Sequence, residues 1–146
     1  MQDILFPVPR SCRFYQRHFD FSSARWIHID PAFSPVLKSQ VIDFAHRASP
    51  AFVAALTVSA GPPQHGRLFL KMTLATRGIP AQGYELTADE DGVMLNAGDE
   101  AGAFYGLATL RQLLDHYGVC MPRFRIADHP DYPQRSVMLD ISRCKV

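Results

Sequence analysis

Cysteine is scarce and badly spaced for chemistry. Cys12, Cys120 and Cys144 are an odd number, and no two stand at a metal-ligand separation. A disulfide framework is therefore not expected, and a reducing, cytoplasmic setting is. The opening Met1-Gln2-Asp3 lacks the charged stretch and following apolar stretch of a secretory signal. No apolar run nears the ~18 residues that a membrane span needs, so no membrane role is expected. Neither sign of charge dominates. The formal net charge is +1 and the Lys and Arg residues are scattered, which argues against capture of nucleic acid. The densest basic stretch, Arg10 to His18, is interleaved with aromatics and reads as the solvent side of a strand. Trp26 is the single tryptophan and falls in a strand of the expected core, so a row of exposed aromatics for stacking on sugars is not foreseen. Internal repeats and low-complexity segments are absent too.

What is present is an ordinary globular mixture, 47% hydrophobic and 20% charged over 146 residues. That length suits one domain with a core of its own, without metal or disulfide staples. Pro7 and Pro9 make residues 5–9 an extended lead-in, because proline fixes φ and donates nothing to a ladder. Cys12–Gln16 and His18–Phe21 alternate and read as two short strands of a hairpin-like pair. Trp26–Ile29 is a stronger strand. Ser34-Pro35 opens a helix whose apolar stripe is Val36, Leu37, Val41, Phe44 and Ala45, and Ser49-Pro50 closes it. Ala55–Val58 and Leu68–Leu74 read as strands, the second buried on both faces near its centre.

Tyr84–Ala88 and Val93–Ala97 alternate around Asp89-Glu90-Asp91-Gly92, the clearest hairpin signal in the chain. A second helix follows, with Asp99 as N-cap, Glu100 in the first turn and Tyr117-Gly118 as the stop. Gly102 and Gly106 stack one above the other on it. Glycine costs ~1 kcal/mol in a helix interior, and close approach of the helix to a sheet explains the pair. Arg123–Ile126 is a last strand that could close the sheet. The expected fold is α+β, a mainly antiparallel sheet with two helices packed on one face.

The final twenty residues change character. Asp128-His129-Pro130-Asp131-Tyr132-Pro133 is a rigid, proline-bounded crossing. Ser136–Arg143 carries the continuous apolar run Val137-Met138-Leu139, typical of a strand covered on both faces, and ends on Asp140 and Arg143. One strand makes no sheet, so a second domain is expected to start here.

Three segments resemble glycoside hydrolase family 20. The helix Asp99–Leu114 is similar to the one that precedes that family's barrel. Ile126–Arg135 resembles its interdomain crossing, and Ser136–Arg143 the first strand of its (β/α)8 catalytic barrel. Gln82-Gly83-Tyr84 ahead of the hairpin also fits. The likeness is strong over residues 82–146 and loose before. It implies a non-catalytic α/β domain over residues 1–134 and the start of the barrel over 135–146. The implied parent is a β-N-acetylhexosaminidase that removes terminal N-acetylhexosamine residues, with retention assisted by the substrate's own acetamido group. The family is an exception to the two-carboxylate scheme. Its working Asp-Glu pair would lie further along the barrel, so no catalytic residue and no activity are expected within these residues. No cofactor or metal is implied.

The resemblance assigns one substrate contact, Arg143, whose planar fork of donors suits vicinal hydroxyls at a barrel strand end. Asp140 would support that strand end, and Arg135 aligns with a second family arginine of structural role. Without the resemblance, Asp140 and Arg143 read as a strand-end salt bridge. The sequence departs from the family pattern at Gln134, Ser136 and Cys144-Lys145-Val146, which leaves the subfamily and the substrate open. The expected partners are the catalytic barrel of the same protein and, through it, an N-acetylhexosaminide. The alternatives are a stand-alone carbohydrate-binding module, or self-association through the apolar strand 136–146. His28 and Asp30 share one strand face, but with no third ligand in view they read as a solvated face. Asp115-His116 belongs to a helix end, and Asp128-His129 to the crossing.

Overall fold

A computed structural model of the chain describes residues 4–61, 66–75 and 77–136. The expected barrel strand lies outside these beyond Ser136, and Asp140 and Arg143 lie outside with it. The elements run β1 (Ser11–Asp20), β2 (Ala24–Ile29), α1 (Pro35–Ala48), a 3₁₀ turn (Ser49–Ala51), β3 (Thr57–Ser59), β4 (Arg67–Leu74), β5 (Tyr84–Asp89), β6 (Gly92–Ala97), α2 (Glu100–Tyr117) and β7 (Cys120–Asp128). All seven strands form one sheet in the order β1-β7-β5-β6-β4-β2-β3.

The fold is α+β, but the expectation of a mainly antiparallel sheet is corrected. Three neighbouring pairs, β1-β7, β7-β5 and β5-β6, are antiparallel. The other three, β6-β4, β4-β2 and β2-β3, are parallel. The reason lies in the connections. A two-residue turn forces β5 and β6 antiparallel, whereas α1 carries the chain from the end of β2 back to the start of β3, which makes those neighbours parallel. The α2 helix does the same between β6 and β7, which run parallel with β5 inserted between them. Both helices are thus crossovers, and they pack on one face in contact with each other, as expected.

The first segment also differs from expectation. Residues 11–20 form one strand, not a hairpin, and it pairs with β7 at the sheet edge. The apolar alternation breaks because the register shifts between Phe14 and His18, a bulge that lets the strand bend. The Asp89–Gly92 turn holds Glu90 and Asp91 at its centre. Gly92 follows at φ 140°, where a Cβ would press on the Leu68 and Phe69 carbonyls of β4.

Alternation sorts side chains between the two faces. Tyr84, Leu86, Ala88, Val93, Leu95, Ala97, Leu70 and Met72 are buried beneath the helices. Phe21, Phe52 and Phe69 fill the β2–β4 end, with the Phe52 and Phe69 rings 4.8 Å apart between centroids. Ser34 and Asp99 cap the helices by accepting from the Leu37 and Gly102 N–H groups. The Glu100 carboxylate accepts from both the Ser34 N–H and its hydroxyl, so one anion serves the positive ends of two helices.

The α2 glycines are explained by contact. A Cβ at Gly102 would run into the Gly83 backbone, and one at Gly106 into Leu95 and the Tyr84 ring. Alanine at 102 gains ~1 kcal/mol of helix propensity but forces α2 off the sheet, an overpacking cost of about 1–3 kcal/mol or more. Gly102→Ala is expected to lower the urea unfolding midpoint. A raised midpoint would mean that α2 is not seated on Gly83.

Candidate functional site

The residues that hold the last described segment, Pro133 to Arg135, converge at the N-terminus of α2. Asp99 does two tasks there. One carboxylate oxygen caps α2 through the Gly102 N–H at 2.8 Å, and the other accepts the Gln82 N–H at 2.8 Å. Gln82 is held at φ 58°, a left-handed conformation in which only it is found among the described non-glycine residues. Its side chain then reaches the crossing, donating through Nε2 to the Pro133 carbonyl at 2.8 Å. Arg135 donates to Gln82 Oε1 at 3.3 Å and to the Tyr105 hydroxyl at 3.0 Å, with its guanidinium 5.2 Å from the Tyr105 ring centroid. The structural role expected for Arg135 therefore has a geometry: it ties the last described residues to α2 and the 82–84 loop.

The start of the crossing is fixed from the other side. Asp128 accepts the Arg10 N–H, and the His129 carbonyl accepts Arg10 Nε at 2.9 Å. Arg10 also pairs with Asp131. The lead-in is tied to α2 as well, where Gln112 bonds both backbone groups of Phe6. Between lead-in, α2 and crossing lies a cavity of about 450 Å³, lined among others by Phe6, Gln82, Tyr84, Tyr105 and Arg135. Among the described residues Asp128 is the one carboxylate in its lining, and it is engaged with Arg10. The arrangement holds the segment from Asp128 to Arg135 in place.

The other residues singled out by sequence are occupied structurally. His28 Nδ1 lies 3.0 Å from the Gly61 carbonyl, and Asp30 accepts from the Ala32 and Leu74 N–H groups. Among the described residues no three His, Cys, Asp or Glu side chains converge on a metal position. Asp115 pairs with Arg111 one turn earlier on α2, and His116 stacks edge-on against Tyr117. Burial raises the Cys12 thiol above its usual range. None of the described helices is long and apolar enough to cross a membrane. The part played by Gln82 was missed in the sequence, since a non-glycine residue at positive φ leaves no compositional trace.

The described chain is thus one α/β domain whose last described segment is bracketed onto its own second helix. Comparison with known proteins gives the family. Residues 2–129 match the model of glycosyl hydrolase family 20, domain 2, and the chain belongs to that family. The N,N'-diacetylchitobiase of Vibrio harveyi is 36% identical over 61 residues, 41% of this chain and 7% of that protein. A β-hexosaminidase of Akkermansia muciniphila is 40% identical over 68 residues, 44% of this chain and 14% of its own length. A mutant Streptomyces plicatus β-hexosaminidase, solved with its product GlcNAc, superposes with a TM-score of 0.76 at 27% identity, over 98% of this chain and 29% of that one. The chain thus spans a small part of each relative.

Two outcomes test the junction. Gln82→Gly keeps the backbone conformation and removes the side-chain bonds to Pro133 and Arg135. Stability is expected to hold while trypsin cleaves after Arg135 roughly three- to tenfold faster, the worth of one or two modest hydrogen bonds. An unchanged cleavage rate would show the bracket idle. The Tyr84 hydroxyl, 2.6 Å from Thr109 Oγ1, is pushed up to about 12, first by burial. The folded state thus favours the neutral phenol. Its contribution is whole below pH 10 and is lost as pH rises toward 12, a fall of roughly 2–3 kcal/mol. Denaturant titrations at pH 9 to 12 should show that fall in the native chain and a flatter curve in Tyr84→Phe.

Proposed function

We propose that this domain is the non-catalytic partner of a family 20 catalytic barrel in a β-N-acetylhexosaminidase that removes terminal N-acetylhexosamine residues by acetamido-assisted retention. The family match over residues 2–129 carries this reading. The bracket of Gln82, Arg135 and Tyr105 supports it, because it holds the residues just ahead of the expected barrel strand firmly against this domain. In the assembled enzyme the domain's work is mechanical. It anchors the first barrel strand, and the barrel supplies the Asp that orients the acetamido group and the Glu that protonates the leaving oxygen.

A surface for the barrel is at hand. The groove between α1 and α2 is about 480 Å³ in volume, and Phe44, Phe104, Leu107 and Ala108 line it. Phe104 is 44% exposed, and Val36, on the first turn of α1, is 69% exposed. Apolar surface of this kind is usually covered by a partner, and the barrel is the occupant this reading assigns to it. In that arrangement Arg143 stands at the strand end and holds hydroxyls of the terminal sugar, with Asp140 supporting the strand.

Turnover of a nitrophenyl N-acetylglucosaminide is the test. The 146-residue chain is expected to give none, and activity from it would sink the accessory reading. A longer protein continuing through the barrel is expected to be active. In it, Arg143→Ala should lower kcat/KM about 10- to 100-fold, the scale of charged hydrogen bonds to substrate. An inactive longer protein would overturn the hydrolase assignment.

A further inference from the structure

The sheet face away from the helices carries a line of cations. Residues in register across strands stand side by side. One such row crosses all seven strands: Arg13, Arg125, Thr87, Met94, Lys71, His28 and Ser59. It contains two arginines and a lysine and no carboxylate. Arg123 is two residues from Arg125 on the same face of β7, with its guanidinium 5.4 Å from the Tyr15 ring centroid. Arg13, Arg123 and Arg125 are exposed and Lys71 is half-buried. None of the four forms an ion pair with a carboxylate among the described residues. Among the described residues the same face carries the acids Glu85 in the adjoining row, Asp89 near the turn and Asp30 just past β2, the last accepting from the Ala32 and Leu74 N–H groups.

Arg13 and Arg125 are direct cross-strand partners, and like charges so placed repel. Protection of the sheet edge accounts for Arg13 on the edge strand β1. It does not account for Arg125 and Lys71, which sit on β7 and β4 inside the sheet. Four strand steps separate Arg13 from Lys71, roughly 19 Å at the usual spacing. A row of that length across the exposed face fits an extended anionic chain. The adjoining row adds Ser11, Glu85, Asn96 and Thr73, side chains suited to hydroxyl groups. Binding of single strands of nucleic acid draws on aromatic platforms, and here the exposed Tyr15 already lies under Arg123.

We infer that this sheet face is a docking surface for an acidic polysaccharide, one bearing sulfate or uronate groups along its length. The choice of a glycan over another polyanion rests on the glycosidase reading, while binding by the face can be measured without any hydrolysis. Chondroitin sulfate titrated calorimetrically into the chain at low salt is expected to bind and to weaken as salt rises. Arg13→Ser/Arg125→Ser should weaken that binding at least about tenfold, and Lys38→Ser/Arg47→Ser, on α1, by less than about twofold. The first double variant should melt no lower than the native chain, because it removes a repulsion. No binding, or equal losses in both double variants, would overturn the proposal. Equally tight binding of single-stranded DNA would overturn the glycan assignment and leave the hydrolase reading untouched.

Discussion

The Asp99 carboxylate is the point on which the rest of the domain depends. Its two oxygens take N–H groups from two different segments, the first turn of α2 and the loop before β5. A helix N-terminus is an electropositive cluster of unpaired donors, and one anion meets that need and also fixes Gln82 at positive φ. With Gln82 fixed, its side chain can reach Pro133 and Arg135. The placement of Pro133 and Arg135 is therefore set by a capping interaction some thirty-five residues earlier in sequence. The absence of a Cβ at Gly102 lets the helix come close enough to the 82–84 loop for this to happen.

The two crossovers divide the molecule into unlike faces. Because β2-α1-β3 and β6-α2-β7 both place their helix on the same side, one sheet face is committed to the core and, among the described residues, no helix covers the other. The first is a run of Leu, Val, Ile and Phe with Tyr84 as the polar exception, its hydroxyl satisfied by Thr109. The second carries Arg, Lys, His, Thr, Ser, Asn and Glu, with Met94 among them. A nearly neutral net charge conceals this separation, since the acids lie mostly at turns and helix ends. The row of cations across the open face arises from register, and composition gives no sign of it.

Much of the fold could be read from the sequence where local chemistry decides it. Both helices begin at the expected caps, Ser34 and Asp99, and α2 ends at Gly118. The hairpin of β5 and β6 is where alternation places it, and the glycine pair on α2 is explained by the close contact it suggested. What could not be read depends on partners distant in sequence. Strand direction in the β6-β4-β2-β3 half is decided by which strands become neighbours, and β4 carries no mark saying that it will lie between β2 and β6. The bulge after Phe14 broke the alternation of β1 and made one strand look like two. At the junction, Arg135 was foreseen as structural, while its partners Gln82 and Tyr105 were not, because hydrogen-bond pairing over thirty to fifty residues has no periodicity to betray it.

The pairing of β1 with β7 sets an order of events during synthesis. Residues 11–20 have a single neighbour in the sheet, and it is the last of the described strands to be made, Cys120–Asp128. Until about a hundred further residues have emerged, the first strand has nothing to join, and its closure entropy is paid across nearly the whole domain. The β1 edge can be completed only after β7 has emerged, so for most of its own synthesis the domain stands with its first strand waiting.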